Sequence, residues 1–155
     1  MVEAHGYQVR PERVRIVEGK GTSAAAAAAF VKGNPAITLG NTIHFKSDRY
    51  RSDFLLKPKD VALLVHEWTH VVQYSRIGYA AFAAKYGRDL KQHGFNPDKL
   101  YKVLERESLY REETLEGQAE MAGLLTYYRC LNKSSDQEPR KSLERRMASS
   151  GIYGL

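Results

Sequence analysis

The strongest constraint on how this chain can fold is the sequence His-Glu-Trp-Thr-His at residues 66–70, which lies inside an apolar run. In a helix, residues four apart share one face, so the two imidazoles lie one turn from each other and can converge on one metal ion. Pro58 favours a helix start before the run, and Gly78 favours a stop after it. The pattern therefore predicts a helix over about residues 59–77 with both histidines on one face.

Two histidines at this spacing are typical of a zinc site, because imidazole is a favoured ligand of Zn²⁺. We expect His66 and His70 to bind Zn²⁺ and the carboxylate of Glu67 to act as general base on a zinc-activated water. The alternative is that both histidines only pack or hydrogen-bond within the helix. We favour the metal, because polar groups in an apolar helix need partners. The sequence thus predicts a zinc hydrolase, with a peptidase as the simplest case.

A zinc ion with one position open to water needs a third protein ligand. Glycine at 73 and histidine at 76 would continue the motif toward a three-histidine site, but the chain has Gln73 and Arg76. The other common arrangement takes a glutamate from a later helix that carries a second acid one turn further on. Glu116 and Glu120 fit this arrangement, so we expect Glu116 to be the third ligand. We expect Glu120 to accept a hydrogen bond from the far N–H of His66.

Small residues in the same segment support this assignment, because Ala119, Ala122 and Gly123 would let the second helix approach the first closely. The alternative is a solvated acidic face that continues from Glu112 and Glu113. Three other residues could replace Glu116 as the third ligand: Glu113, Glu120 and His93.

Several segments also occur in an order that is similar to a known family. The segments 14–17, 24–29, 36–45 and 63–73 resemble, in that order, the DUF4157 family of bacterial metallopeptidase-like domains, which is found with extracellular contractile injection systems. The zinc helix and residues 116–120 resemble the glutamate-type zincins, or gluzincins, and also zincin domains seen beside Rhs and VgrG-type secretion proteins. The resemblance implies a secreted or injected zinc peptidase that is connected with a secretion or injection apparatus.

The hydrophobic pattern predicts a mostly helical α+β fold with a small β-hairpin or sheet. The resemblance implies a zincin-like domain in which this hairpin packs beside the zinc helix. We assign residues 1–13 to a loose N-terminus, 14–132 to the domain, and 133–155 to a linker, a short C-terminal helix and a flexible tail. The outer edge of the hairpin could hold an extended substrate by strand addition. The expected elements are a strand at 14–17, a helix at 23–32, a hairpin at 36–45, and further helices at 79–92, 98–107, 111–132 and 140–148.

Composition limits the partners. The net charge is +6, but the basic residues are spread along the chain, so we expect no nucleic-acid partner. No segment has the length and apolarity of a membrane span or of a signal peptide. We therefore expect no membrane partner. We expect synthesis in the cytoplasm, and the sequence is compatible with export by a non-classical route.

The single cysteine, Cys130, excludes an intramolecular disulfide and is expected to be buried. His5 and His44 are read as surface or strand histidines.

The resulting prediction is a zinc-dependent metallopeptidase whose partner is a peptide or protein substrate. A side chain that stabilises the oxyanion is also expected, and spacing leaves five candidates: Tyr74, Tyr101, Tyr110, Tyr127 and His93. One alternative is a zinc-stabilised, non-catalytic interaction module of a secretion or injection system, in which Glu67 would be dispensable. The other is a nucleic-acid binder, which only the charge suggests.

Overall fold

Three short strands form a mixed sheet in the computed structural model, which describes residues 9–155. The strands are β1 (Arg15–Glu18), β2 (Ala36–Leu39) and β3 (Thr42–Phe45). β3 lies in the centre, parallel to β1 and antiparallel to β2, so β2 is an edge strand. The predicted hairpin is confirmed. Residues 1–8, which include His5 and most of the segment expected to be loose, lie outside the described residues.

Helix α1 (Ala24–Val31) precedes the hairpin and matches the helix predicted from the alanine run. The side chain of Ser23 accepts a hydrogen bond from the backbone N–H of Ala26, which satisfies one of the free donors at the helix start. His44 was expected to be a surface or a strand histidine, and it lies in strand β3. Its ring is buried, and Nδ1 lies 3.1 Å from the carbonyl oxygen of Gly19.

The longest helical element, α2 (Pro58–Gln92), contains one break. At Gly78 the backbone turns to φ 75° and ψ 169°, a conformation that side chains disfavour, so the first helical segment ends at residue 77 and a second one follows. This outcome confirms both predicted helices, 59–77 and 79–92. The first segment, 58–77, carries the histidines, and its residues from 64 to 73 are all buried.

Helix α3 (Leu115–Leu131) packs along the first segment of α2. A Cβ added to Gly123 would lie 3.0 Å from the carbonyl oxygen of Ala62 and 3.4 Å from Cβ of His66, so a side chain here would crowd the backbone of α2. The predicted close packing of the two helices is therefore present. The helix begins four residues later than predicted, because the side chain of Thr114 caps it by accepting from the N–H of Gly117.

The segment between these helices differs from the prediction. Instead of one α-helix over 98–107, the chain forms two 3₁₀ turns, Pro97–Tyr101 and Val103–Glu105. The backbone leaves the helical region at Lys102, where ψ is 49°. Both turns direct a residue into the core, since Leu100 and Val103 are fully buried.

The C-terminal segment packs on the rest of the fold. Helix α4 spans Gln137–Arg146, so it begins earlier than predicted and shortens the expected linker. The last residues were expected to form a flexible tail, but Ile152 is buried and the hydroxyl of Tyr153 lies 2.8 Å from that of Thr126 on α3. Cys130 was expected to be buried and is instead exposed, because it lies on the outer face of α3.

Two apolar clusters lie on opposite sides of α2. One fills the space between α2 and the sheet, and the other joins α2 to α3, α4 and the C-terminal turn. The first cluster includes Ile43, Phe45, Leu64, Trp68 and Val72, and the second includes Val65, Met121, Leu125, Leu143, Met147 and Ile152. Because both faces of α2 are packed, the histidine-bearing helix is held rigidly between the sheet and α3. Among the residues that the structure describes, no helix combines the length and the apolar character needed to cross a bilayer.

Candidate metal centre

Two histidines of α2 and one glutamate of α3 meet in the interior. Nε2 of His66 lies 3.4 Å from Oε2 of Glu116, and Nε2 of His70 lies 3.3 Å from the same oxygen. All three side chains are buried, and their potential ligand atoms lie within 4.8 Å of one another. These three residues could therefore hold a metal ion.

The two distances from Glu116 to the histidines fit a tetrahedral metal site. Zinc binds nitrogen and oxygen at roughly 2.0–2.2 Å, which places neighbouring ligand atoms of a tetrahedron about 3.3 Å apart. A hydrogen bond between an imidazolium and a carboxylate is typically shorter, about 2.7–2.9 Å. The two Nε2–Oε2 separations match the tetrahedral edge better than they match a hydrogen bond. Two imidazoles and one carboxylate are also a donor set that zinc accepts.

Each histidine has a second acceptor at its other ring nitrogen. Nδ1 of His66 lies 3.3 Å from Oε2 of Glu120, one turn further along α3 than Glu116. Nδ1 of His70 lies 2.8 Å from Oε1 of Gln73, which is buried. Such partners fix the orientation and the tautomer of a ligating imidazole. Both rings consequently present Nε2 to the same point beside Glu116.

The charges at the site reinforce one another. Burial lowers the pKa of His66, but hydrogen bonds to Glu116 and Glu120 and the charges of Glu67 and Glu116 outweigh burial and raise the pKa to about 10. Burial likewise lowers the pKa of His70, and the charge and hydrogen bond of Glu116 raise it overall. Burial raises the pKa of Glu116, yet the two histidines hold it well below its usual range. Positive charge is therefore strongly favoured at this point, as a cation site requires.

Glu67 lies beside the metal-ligating candidates and is tied to the sheet. Its carboxylate Oε2 accepts a hydrogen bond of 2.7 Å from the hydroxyl of Thr38 on β2, and its backbone oxygen lies 3.0 Å from the same hydroxyl. Both side chains are buried and both line the same cleft. The edge strand thus holds the carboxylate in place next to the two histidines.

The cleft has a volume of about 1210 Å³ and opens over the three candidate ligands. Strand β2 forms part of one wall. Apolar and aromatic side chains form another part of the lining, and among them the rings of Tyr74 and Phe82 stack with their centroids 3.9 Å apart. The cleft is therefore large enough for a chain segment and mixes backbone edges with apolar surface. Its aromatic lining residues are Tyr74, Phe82, Tyr86, Phe95, Tyr101 and Tyr127.

Two other residues considered as the third metal ligand, Glu113 and His93, lie away from the candidate metal centre. Glu113 is buried in an ion pair with Arg106, at 2.8 Å, and lies outside the cleft. His93 sits at the end of α2, with Nδ1 2.9 Å from the carbonyl oxygen of Asp89. Neither residue belongs to the group that could hold the metal, so neither replaces Glu116 in this structure.

Among the expected oxyanion-stabilising residues, three tyrosines line the cleft: Tyr74, Tyr101 and Tyr127. Tyr110 packs against the core instead. The ring of Tyr101 stacks on His66, with centroids 6.0 Å apart. Burial, followed by the charge and hydrogen bond of Glu116, raises the pKa of Tyr101, so its hydroxyl keeps its proton and can donate.

Three residues with a place at this site were missed by sequence reasoning: Gln73, Thr38 and Tyr86. From the sequence, Gln73 breaks a three-histidine pattern and ends the segment 63–73 that carries the family resemblance, but neither feature predicts a role at the site. Thr38 carries no motif, and the prediction that the hairpin packs beside the zinc helix was the one available signal. Tyr86 lines the cleft from the second segment of α2, which follows the break at Gly78.

Fold and site together define an α+β domain with a buried His/His/Glu group that could hold a metal ion. Residues 2–78 match the family model of the eCIS core domain, the DUF4157 family, over just under half of the chain. This match supports the expected association with extracellular contractile injection systems. It includes both histidines and Glu67 and ends where the first segment of α2 ends, so Glu116 lies outside it. No curated protein and no solved structure matches the chain.

Proposed function

We propose that this chain is a zinc-dependent metallopeptidase that acts with an injection apparatus. The observation that carries the proposal is the convergence of two Nε2 atoms on one carboxylate oxygen, each at a distance that suits a tetrahedral metal site. The Glu67 carboxylate lies in the same open cleft. A purely structural metal would need no open cleft and no buried carboxylate beyond the ligands. His66, His70 and Glu116 are the proposed ligands.

Bound at this point, zinc would polarise a peptide carbonyl and lower the pKa of a water molecule to about 7. Glu67 is the residue placed to accept the proton of the attacking water and to return it to the leaving amine. Thr38 keeps the Glu67 carboxylate oriented through its hydroxyl. Tyr101 lines the cleft, stacks on His66 and interacts with Glu116, so we assign it to stabilise the oxyanion.

The proposed substrate is an extended peptide that lies along β2. This strand is at the edge of the sheet, and its residues 36–39 all line the cleft. An edge strand offers free backbone N–H and C=O groups, which can pair with an added strand. The aromatic part of the cleft would then receive an apolar side chain of the bound peptide. We further propose that the chain is made in the cytoplasm and leaves the cell through the injection apparatus.

The test compares the wild-type chain with Glu67→Gln, which keeps the shape of the side chain and removes the base. Purified proteins would be measured for zinc content and then incubated with a denatured proteome, with new N-termini counted by mass spectrometry. We expect Glu67→Gln to keep zinc and to lose cleavage by about 10²–10⁴-fold, the usual contribution of a general base. Full cleavage by Glu67→Gln would contradict the mechanism.

Two further variants sharpen this experiment. Glu107→Gln is the matched control, because Glu107 is exposed and lies outside the cleft, so its removal should change neither zinc content nor cleavage. His70→Ala should lose zinc itself. If the wild type binds zinc but neither it nor any variant cleaves peptides, the chain is the alternative, a zinc-stabilised interaction module.

A further inference from the structure

Gln73 touches both halves of the candidate metal centre. Its side-chain oxygen lies 2.8 Å from Nδ1 of His70, on its own helix. Its side-chain nitrogen donates to the backbone oxygen of Leu115, at 3.1 Å, and to Oε1 of Gln118, at 3.0 Å, both on α3. The side chain is buried, so these bonds are shielded from water.

The contacts of Gln73 determine which end of its amide faces the histidine. The backbone oxygen of Leu115 can only accept a hydrogen bond, so the NH₂ group of Gln73 must face α3. The oxygen end then faces His70 and can only accept. Nδ1 of His70 must therefore carry the proton that forms this bond. In the neutral ring Nε2 is left with a free lone pair, and Nε2 is the nitrogen that faces Glu116.

The same amide also holds the residue that precedes Glu116. The backbone oxygen of Leu115 accepts a hydrogen bond from the side chain of Gln73. The backbone N–H of Leu115 donates to Oδ2 of Asp89, at 3.0 Å. Asp89 lies on the second segment of α2 and is buried. Both polar groups of the Leu115 backbone are thus held by side chains of α2, one on each side of the break. The first turn of α3, and with it Glu116, is fixed relative to the histidines.

We propose that Gln73 is a positioning residue of the metal centre: it selects Nε2 of His70 as the ligand atom and holds Glu116 in register with it. The proposal rests on the metal site of the proposed function but not on peptide hydrolysis. It explains how one residue that never contacts the metal controls a ligand from each of the two helices.

The test replaces Gln73 with methionine, which has a similar length and neither accepts nor donates strongly. Zinc affinity would be measured by competition with a chromophoric chelator. We expect Gln73→Met to bind zinc about 10–100-fold more weakly, as is usual when an outer partner of a ligating histidine is lost. Gln118→Leu is the matched control: it removes one bond of Gln73 and leaves the bond to His70, so its affinity should stay close to that of the wild type.

A second readout is specific to the histidine. Two-bond ¹H–¹⁵N spectra of the zinc-loaded protein show which ring nitrogen carries the metal and which carries a proton. The wild type should show zinc on Nε2 and a proton on Nδ1 of His70. Gln73→Glu keeps an acceptor for Nδ1 and should keep this pattern, whereas Gln73→Met should lose the hydrogen-bonded Nδ1 signal.

The proposal is overturned if folded Gln73→Met keeps both the zinc affinity and the His70 signals of the wild type. If Gln73→Met does not fold, Gln73→Glu provides the test. Loss of the hydrogen-bonded Nδ1 signal of His70 in Gln73→Glu would contradict the proposal that residue 73 is its acceptor. If the wild type takes up no zinc, the proposed function fails. Spectra of the metal-free wild type and variants, recorded at a pH high enough to make the His70 ring neutral, then decide whether Gln73 selects the tautomer.

Discussion

At the residue scale, each buried histidine of the candidate centre is held at both nitrogens. Nε2 of each ring faces Glu116, while Nδ1 faces Glu120 for His66 and Gln73 for His70. The two outer partners differ in charge, because one is a carboxylate and the other a neutral amide. The Glu120 charge favours a proton or positive charge on His66 more than Gln73 does on His70. The pKa of His66 is accordingly raised strongly.

This asymmetry makes metal binding depend on pH. A metal binds the neutral imidazole, so a proton on His66 competes with it. Because the pKa of His66 is raised to about 10, metal-free protein holds this proton at neutral pH, and the apparent zinc affinity should rise with pH up to that value. We expect roughly a tenfold gain per pH unit for each proton released.

Calorimetry in buffers of different ionisation enthalpy measures the number of protons released when zinc binds. We expect at least one proton at pH 7. Glu120→Gln removes a cause of the raised pKa and should release fewer protons. Zinc uptake with no proton release at pH 7 would contradict the charge state inferred for the site.

Sequence reasoning at this scale worked where a helix sets the geometry. The period of an α-helix was enough to put His66 and His70 on one face of α2, and Glu116 and Glu120 on one face of α3. It could not find Thr38, because a threonine in a strand has no pattern of its own until the strand is placed against Glu67. The role of Gln73 was not predictable, since its partners on α3 lie more than 40 residues away in the sequence.

At the scale of elements, the site depends on the close packing of α2 and α3. Gly123→Ala tests this packing, because the new Cβ would meet the Ala62 carbonyl oxygen at 3.0 Å, and backbone atoms cannot move aside easily. We expect a loss of about 1–3 kcal/mol in the free energy of unfolding, the usual cost of overpacking. Denaturant unfolding provides the measurement.

Gly87→Ala is the matched control for this substitution. Gly87 is also helical, but a Cβ there meets nothing within 4 Å, so alanine should stabilise the helix by about 0.5–1 kcal/mol. Equal effects of the two substitutions would show that the helices are not in contact at Gly123. Zinc affinity should fall in Gly123→Ala alone, since Glu116 moves with α3.

The elements themselves were predictable to different degrees. The break at Gly78, the hairpin and the alanine helix were confirmed, because each has a local signal in glycine, turn residues or helix propensity. The helix predicted at 98–107 was wrong. Its pattern of apolar residues suited a helix, but the backbone leaves the helical region at Lys102 and forms two 3₁₀ turns, which bury Leu100 and Val103. Because residues three apart also share a face in an α-helix, the apolar spacing alone does not distinguish the two conformations.

At the scale of the whole molecule, α2 is enclosed by two apolar clusters and the C-terminal segment completes one of them. Leu143, Met147 and Ile152 are buried in the cluster that also contains Met121 of α3. From the sequence, these residues belong to a helix and a tail that follow the domain. Their partners were not predictable, because the pattern of a short amphipathic helix shows that it packs but not against which surface.

The metal would link the two packed halves, because its ligands come from α2 and α3. A ligand that binds only the folded state stabilises it by an amount set by its concentration and affinity, about 2.7 kcal/mol at one hundred times Kd. Zinc should therefore raise the Tm of the wild type by several degrees, and a chelator should reverse the effect. Glu116→Gln should show little or no rise, while the exposed control Glu107→Gln should behave as the wild type does.

The central claim is that His66, His70 and Glu116 together hold one zinc ion. The most direct test is the zinc content of the purified chain by mass spectrometry, after dialysis against excess zinc and then against metal-free buffer. The account predicts one zinc per chain in the wild type and its loss in His70→Ala and Glu116→Gln. A folded wild-type chain that retains no zinc would contradict it, as would zinc retained in full by both variants.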